Sequence, residues 1–234
     1  MLCSVLIASR NRFDKLLECV RSVYDCASKE PDFEVIVRLH KSDEEASRRW
    51  VELNFCRWNS LHVIWGADHD GYQSLTRFYQ ELIDAAKGDW CWHLKDDMVV
   101  TGQDWNGKLA QIKNHRTLVQ PEIHRLNHSV YRDTSGPAPI HPRKALGSKL
   151  LEVGGPATDM IVFIELVVNR GWRVEFLEGV GIWHFSPLES SSRFPQYSHQ
   201  LTRRQRMDHI NEVLRKIADK SQQGRLELGL RLSD

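Results

Sequence analysis

Two adjacent carboxylates, Asp96 and Asp97, follow the stretch Trp-Cys-Trp-His-Leu-Lys. The aromatic, apolar run from Trp90 to Leu94 reads as a strand, so both acids stand where a strand stops. Neighbouring acids repel unless a cation or polar ligand offsets them, and hard divalent metals take oxygen donors of this kind. The pair reads as the floor of a metal and nucleotide site; the plain alternative is a solvated turn. Ser9-Arg10-Asn11-Arg12 breaks another short apolar run, Ser4 to Ala8. In open α/β sheets such a loop lies at the carboxyl edge, where ligands bind. Arg10 and Arg12 there either meet phosphates or lie exposed.

Alternating strands and helices position these residues. Ser4–Ala8 has the β-branched, apolar pattern of a strand buried on both faces. A helix follows to Ala27, with Asp14 as its expected N-cap and Leu16, Leu17, Val20, Val23 and Tyr24 at helical spacing. Glu34–Leu39 is a second strand. Ser42-Asp43-Glu44-Glu45 then opens a helix through Leu53, with Trp50 on its inner face. His62–Trp65 is a third strand, and the stripe Leu75, Phe78, Tyr79, Leu82, Ile83 and Ala86 a core-facing helix with Gly88 as its C′ residue. This order implies right-handed βαβ units and a mostly parallel sheet.

Beyond Asp97 the pattern loosens. Trp105–Ile112 makes a short helix and Thr117–Gln120 a strand, while Glu122–Lys149 shows no regular apolar period. An apolar helix runs from Asp159 to Gly171, and two strands are expected at Arg173–Leu177 and Val180–Phe185. Pro187–Gln200 is Ser-rich, and Thr202–Lys220 reads as an amphipathic helix. The organisation expected is one domain over 1–185, with halves 1–100 and 101–185, followed by a flexible segment and helical tail over 186–234.

The 234 residues are 41% apolar and 27% charged, the composition of a folded chain rather than a disordered one. A formal net charge of +1 says little about partners. The five cysteines are odd in number and show no Cys-x-x-Cys spacing, which excludes a disulfide framework or zinc knuckle as the reading and fits a reducing cytosol. No basic n-region precedes the first strand, and the longest apolar run, Met160–Val168, is broken by Glu165 and falls short of the ~20 residues of a membrane helix. A soluble cytoplasmic protein is the expectation.

Taken together, the motifs over Ser4–Phe185 resemble the GT-A fold glycosyltransferases, in particular family 2-like enzymes. The shared parts are the Val-Leu-Ile-Ala-Ser-Arg-Asn-Arg opening, Ala-Lys-Gly-Asp-Trp before an Asp-containing strand end, Gly-Gly before a carboxylate-headed helix, and a late strand ending in Trp-His. The resemblance implies a Rossmann-like mixed α/β sheet flanked by helices, a nucleotide-sugar donor, here a UDP-sugar, and Mn²⁺ or Mg²⁺. It implies that Asp97 and His184 are metal ligands and that Asp96, Ser9 and Arg10 hold the nucleotide. It also implies that Asp159 is the base of an inverting transfer, although helix capping alone explains an Asp there. Lys95 replaces the first acid of the family's Asp-x-Asp motif, so either the metal and ribose contacts are rearranged or Lys95 itself pairs with phosphate. Asp43 stands near the position of an earlier nucleotide-binding acid, or merely opens its helix.

The chemistry needs such parts in any case. A departing nucleoside diphosphate develops negative charge, and an acceptor hydroxyl needs a carboxylate in hydrogen-bond reach. For the acceptor, basic residues crowd Lys108–Lys149, among them Arg125, Arg132, Arg143 and Lys144, with Arg203 and Arg204 further on. They point to an anionic acceptor, with a hydroxymethylated base in DNA as the sharp version and a glycan or lipid-linked sugar as the broad one; an ordinary solvated basic face is the alternative. A catalytically inactive sugar- or nucleic-acid-binding module of the same fold is the rival from outside enzymology. A nucleotidyltransferase is disfavoured, because Ser9-Arg10-Asn11-Arg12 lacks the glycines of a phosphate loop.

Overall fold

The computed structural model describes residues 1–184 apart from 31, 56, 57, 59, 68–70, 125–129, 135 and 156. The expected tail over 186–234, with its helix Thr202–Lys220, lies outside the described residues, as do Phe185, Arg125, Arg203, Arg204 and the side chain of Trp50.

The chain runs β1 (Cys3–Ala8), α1 (Phe13–Asp25), β2 (Phe33–His40), α2 (Glu44–Phe55), β3 (Leu61–Gly66), a 3-10 turn (Gly71–Ser74), α3 (Leu75–Ala85) and β4 (Trp90–Lys95). Then come β5 (Met98–Thr101), α4 (Trp105–Ala110), β6 (Thr117–His124), β7 (Val130–Tyr131) and β8 (Ile140–Pro142). After these follow α5 (Lys149–Val153), α6 (Thr158–Phe163), a π-helical turn (Ile164–Asn169) and β9 (Arg173–His184). One mixed sheet has the order β3-β2-β1-β4-β8-β6-β9-β5, with β7 against β6. β1, β2, β3 and β4 pair in parallel, as do β6 and β9; the other pairings are antiparallel.

Successive residues of β1 point to opposite faces, and both faces are covered. Cys3, Val5 and Ile7 pack with Phe13, Leu16 and Val20 of α1 and with Trp92 and Trp105, whereas Leu6 packs with Tyr79, Leu82 and Ile83 of α3. Trp92 and Trp105 are fully buried, each worth roughly 1.5–3 kcal/mol or more of apolar burial.

The expected parallel half holds to within a residue or two per strand, and the differences have local causes. Asp14 sits in the first turn of α1; the N-cap is Arg12, without a side-chain cap bond. Gly88 is not a left-handed C′ residue, since α3 ends on the extended Ala86. Gly88 is required instead by close approach: an added Cβ would lie 2.5 Å from the backbone of Cys3 and Ser4, and its N–H donates to Ser4 Oγ at 2.8 Å. The irregular stretch before Lys149 contains β8, which is inserted between β4 and β6. The two strands expected after Arg173 are one strand with a bulge, where Leu177 pairs with Pro121 and Gly181 with Glu122.

Gly88→Ala is expected to lower unfolding stability by roughly 1–3 kcal/mol through overpacking against β1. Denaturant titration reads it directly, with an unchanged m-value.

Candidate functional site

The carboxyl edge of β1 and β4 gathers the polar residues. Asp96, only 1% exposed, accepts Ser9 Oγ at 2.7 Å and Arg12 Nε at 3.0 Å on Oδ2, while Arg12 Nη2 donates to its Oδ1. The same guanidinium reaches Asp97 Oδ2 from Nη1 at 3.1 Å. Arg12 therefore bridges both acids, and the strand end is neither a solvated turn nor a bare acidic pair. The loop is set for this by Asn11, whose φ of 53° is left-handed. Its N–H donates to Asp43 Oδ2 at 2.7 Å, and Asp43 Oδ1 accepts the N–H of Ala46 at 2.9 Å, capping α2. Both oxygens of the buried Asp43 thus accept backbone N–H groups, so it caps α2 and braces the loop.

Asp97 Oδ1 is buried without a hydrogen-bond partner and faces His184 Nε2 at 3.6 Å. His184 is delivered by β9, opposite Met98 of β5. β5 lies at the sheet's end, and α1 seals it: Val100 N–H donates to Ser22 Oγ at 2.9 Å and Cys26 Sγ to Val100 O at 3.4 Å. An orphaned carboxylate oxygen facing an imidazole nitrogen fits a divalent cation, and Mn²⁺ or Mg²⁺ of this type keeps its remaining positions for water and substrate phosphate. Among the described residues no cluster of three or more ligating side chains surrounds this pair.

Lys95 Nζ lies 2.6 Å from Asp159 Oδ2. α6 begins at Thr158 behind Ala157 as N-cap, with no side-chain cap bond, so Asp159 is not the cap of its helix. Gly154 and Gly155 have φ of 71° and 92°, and Gly155 O accepts the N–H of Thr76, which ties the turn before α6 to the start of α3. Ser9, Arg12, Lys95, Asp96, Asp97, Asp159 and His184 are thereby brought to one edge, with the half-buried Arg10 in the same loop.

Of the basic residues expected to face an acceptor, the three described ones lie away from the acids or are engaged elsewhere. Arg143 donates from Nε to Gly88 O at 3.0 Å and from its backbone to Asp89 O, at the start of β4. This is the opposite end of a strand that spans roughly 20 Å from the acids, and the exposed Lys144 follows it. Arg132 is held by Glu122 and Glu178 and lies over Phe176.

Support beneath the site went unread in the sequence. Tyr79, at a core-stripe position, donates its hydroxyl to Leu94 O at 2.5 Å and stacks on His93. His141 Nδ1 contacts Pro142 O at 2.9 Å and must carry the proton, so its bare Nε2 accepts from His93 Nε2 at 2.9 Å. Burial lowers both imidazoles, His141 to about 4 and His93 well below its ordinary value, with His141 adding to the effect on His93. An isolated His in a strand carries no sequence signal for such pairing.

The acids diverge electrostatically. Burial lifts Asp96 to about 6, with Asp97's charge adding and Arg12 and Ser9 opposing. Burial also pushes Asp97 upward, but His184, Arg12 and Lys95 outweigh it and hold Asp97 at about 2. Against an unfolded value of ~3.9, Asp96 contributes stability that is complete below that value and lost as pH rises through about 6. Asp97 contributes stability present above ~3.9 and lost as pH falls toward about 2. Metal-free protein should therefore gain stability as pH falls from neutral to about 5, and Asp96→Asn should flatten that rise in denaturation midpoints.

No protein-family profile matches the chain, and no curated protein matches it. Solved structures do. S. aureus TarS superposes with a TM-score of 0.58 at 14% identity over 80% of this chain and 37% of that one. TarS 1-349 in complex with UDP-GlcNAc gives 0.57 at 14% identity, over 80% and 59%. GalNAc-T7 with UDP, GalNAc and Mn²⁺ gives 0.58 at 13% identity, over 80% and 44%. The chain thus spans between about a third and two thirds of the length of the structures it resembles. The likeness, with the strand order and helix layers described above, shows that the chain has the GT-A glycosyltransferase fold.

Proposed function

We propose that the chain transfers a sugar from a nucleotide-sugar donor, a UDP-sugar, to an acceptor hydroxyl with inversion. The observation that carries the reading is the convergence of the Ser9–Arg12 loop, the Asp96–Asp97 pair, His184 and Asp159 on one carboxyl edge. Solved neighbours of the same fold hold UDP-GlcNAc in one case and UDP, GalNAc and Mn²⁺ in another.

Ser9, Arg10 and Asp96 line the nucleotide end, and the 1–100 half holds the donor while 101–185 faces the acceptor. Asp97 and His184 would hold Mn²⁺ or Mg²⁺, which supplies Lewis-acid stabilisation of the diphosphate. Asp159 accepts the acceptor's hydroxyl proton as the acceptor oxygen bonds the anomeric carbon. The anomeric carbon–oxygen bond to phosphate breaks, and its electron pair leaves with the nucleoside diphosphate. One displacement at one face inverts the centre.

The acceptor is a hydroxyl compound whose anionic character, DNA included, now rests on Arg125, Arg203 and Arg204, since Arg132, Arg143 and Lys144 are engaged or located elsewhere. A glycan or lipid-linked sugar fits the site equally. Among the described residues no helix is long and apolar enough to cross a membrane. A second reading, a sugar-binding module without turnover, draws support from Lys95 neutralising Asp159. Release of nucleoside diphosphate from a UDP-sugar separates the two.

UDP with Mn²⁺ at about a hundred times Kd should stabilise the wild type by ~2.7 kcal/mol, or roughly 5 °C or more in Tm. Asp97→Ala should lose the metal-dependent part. A thermal-shift panel of nucleoside diphosphates measures this, and an unshifted wild type would defeat the donor assignment.

A further inference from the structure

We infer that Lys95 is a counter-ion with two stations: it pairs with Asp159 until a donor arrives and moves to the donor's diphosphate when a nucleotide sugar binds, uncovering Asp159 for the acceptor. The inference rests on the nucleotide-sugar reading above. It adds an order to the reaction, in which donor binding makes the base available.

Three features carry it. The first is where Lys95 stands. It occupies the strand end directly before Asp96 and Asp97 and pairs across to the first turn of α6, so one side chain joins the donor floor to the candidate base. The second is what the pair blocks. Nζ sits 2.6 Å from Asp159 Oδ2, and a carboxylate oxygen engaged by an ammonium at that distance does not present the same lone pair to an acceptor hydroxyl. The third is that Lys95 has room to move. The Lys95 and Asp159 side chains are 24% and 18% exposed, so the pair lies at the cleft surface rather than sealed in the core. In register with Lys95 on the neighbouring strand is Ala8, short and half-buried, immediately before Ser9 of the nucleotide loop.

The contrast with Arg12 identifies which cation moves. Arg12 is fixed by Nε, Nη1 and Nη2 to two buried carboxylates, a planar fork that cannot leave without stranding both. Lys95 meets Asp159 through Nζ, a compact ammonium on a flexible four-carbon stem rather than a planar fork. A diphosphate arriving beside Asp97 offers that ammonium a denser negative charge than one carboxylate does. Lys95 thus performs with a side chain a task that an acid in its place could not, since an acid would repel both the diphosphate and Asp159.

The test is a double-mutant cycle read by calorimetric binding of UDP, with UMP as the probe that lacks the second phosphate. Each is measured with and without Mn²⁺. Asp159→Asn should tighten UDP about three-fold, because Lys95 no longer has to leave a carboxylate. Lys95→Met should weaken UDP roughly ten-fold, Lys95→Arg should retain most of the affinity, and UMP should respond little to any of them. In the Lys95→Met, Asp159→Asn double variant the tightening should vanish. A merely structural Lys95 predicts the reverse sign for Asp159→Asn, or a gain that survives in the double variant, and either result overturns the inference while leaving the donor assignment intact. Failure of the folded wild type to bind any nucleoside diphosphate overturns the donor assignment itself, and this inference with it.

Discussion

The guanidinium of Arg12, clamped between Asp96 and Asp97, is the interaction on which the rest of the site depends. Two carboxylates on consecutive residues at low exposure repel by several kcal/mol at the effective dielectric of a protein surface, about 4 kcal/mol for unit charges ~4 Å apart. A single loop arginine offsets both. That solution fixes the loop, because Arg12 reaches the acids only if the chain turns sharply after Ser9. The turn is made by a left-handed Asn11 whose N–H is held by Asp43 at the head of α2. β1, α2 and β4 are therefore locked together by one buried polar network, in which removing any member strands a charge rather than a contact.

The sheet divides the remaining tasks. Its parallel half builds the floor, and its antiparallel half brings His184 back to that floor from the far end of the chain. β9 accomplishes this over a long path. Its first part runs beside β6, a bulge around Gly179 absorbs extra residues, and its last part pairs with both β6 and β5. β5 would be an exposed edge, but the Ser22 hydroxyl and the Cys26 thiol of α1 meet its backbone. The same helix that begins at Arg12 thus steadies the strand that opposes His184, so both flanks of Asp97 are referred to one rigid element.

What the sequence revealed follows from how local each signal was. β1, β2, β3 and β4 were legible because a strand buried on both faces is an uninterrupted apolar run, and α1 and α3 because their stripes repeat at helical spacing. Ser9, Asp96, Asp97, Asp159 and His184 were legible because each sits where a regular element starts or stops, at which point a polar residue stands out. β7 and β8, with two and three residues, are too short to show a period. Arg143 and Lys144 show the limit on charge patterning: a basic run in sequence says nothing about which end of a strand it will neighbour, and β8 running antiparallel to β4 carried them away from the acids. Asp43 caps its helix and Tyr79 lies in the core, as their patterns suggested, but neither a capping pattern nor a core stripe discloses the second bond that each side chain makes.

On the proposed donor reading, the charge of the cleft bears on what a metal would do there. Asp96, Asp97 and Asp159 set three carboxylates against Arg12 and Lys95, with Arg10 in the adjoining loop. A dianionic diphosphate entering alone would add negative charge beside these carboxylates in a partly buried cleft, where Coulomb terms are weakly screened. A divalent cation entering with it would offset that charge, and Asp97 Oδ1, buried without a hydrogen-bond partner opposite His184, is where such a cation would find a donor. Replacing Lys95 by the acid usual at that position would add two negative charges to the same cleft. On the proposed nucleotide-sugar reading, the lysine would lower the electrostatic cost of admitting the donor and leave a metal the narrower task of stabilising the charge that develops on departure.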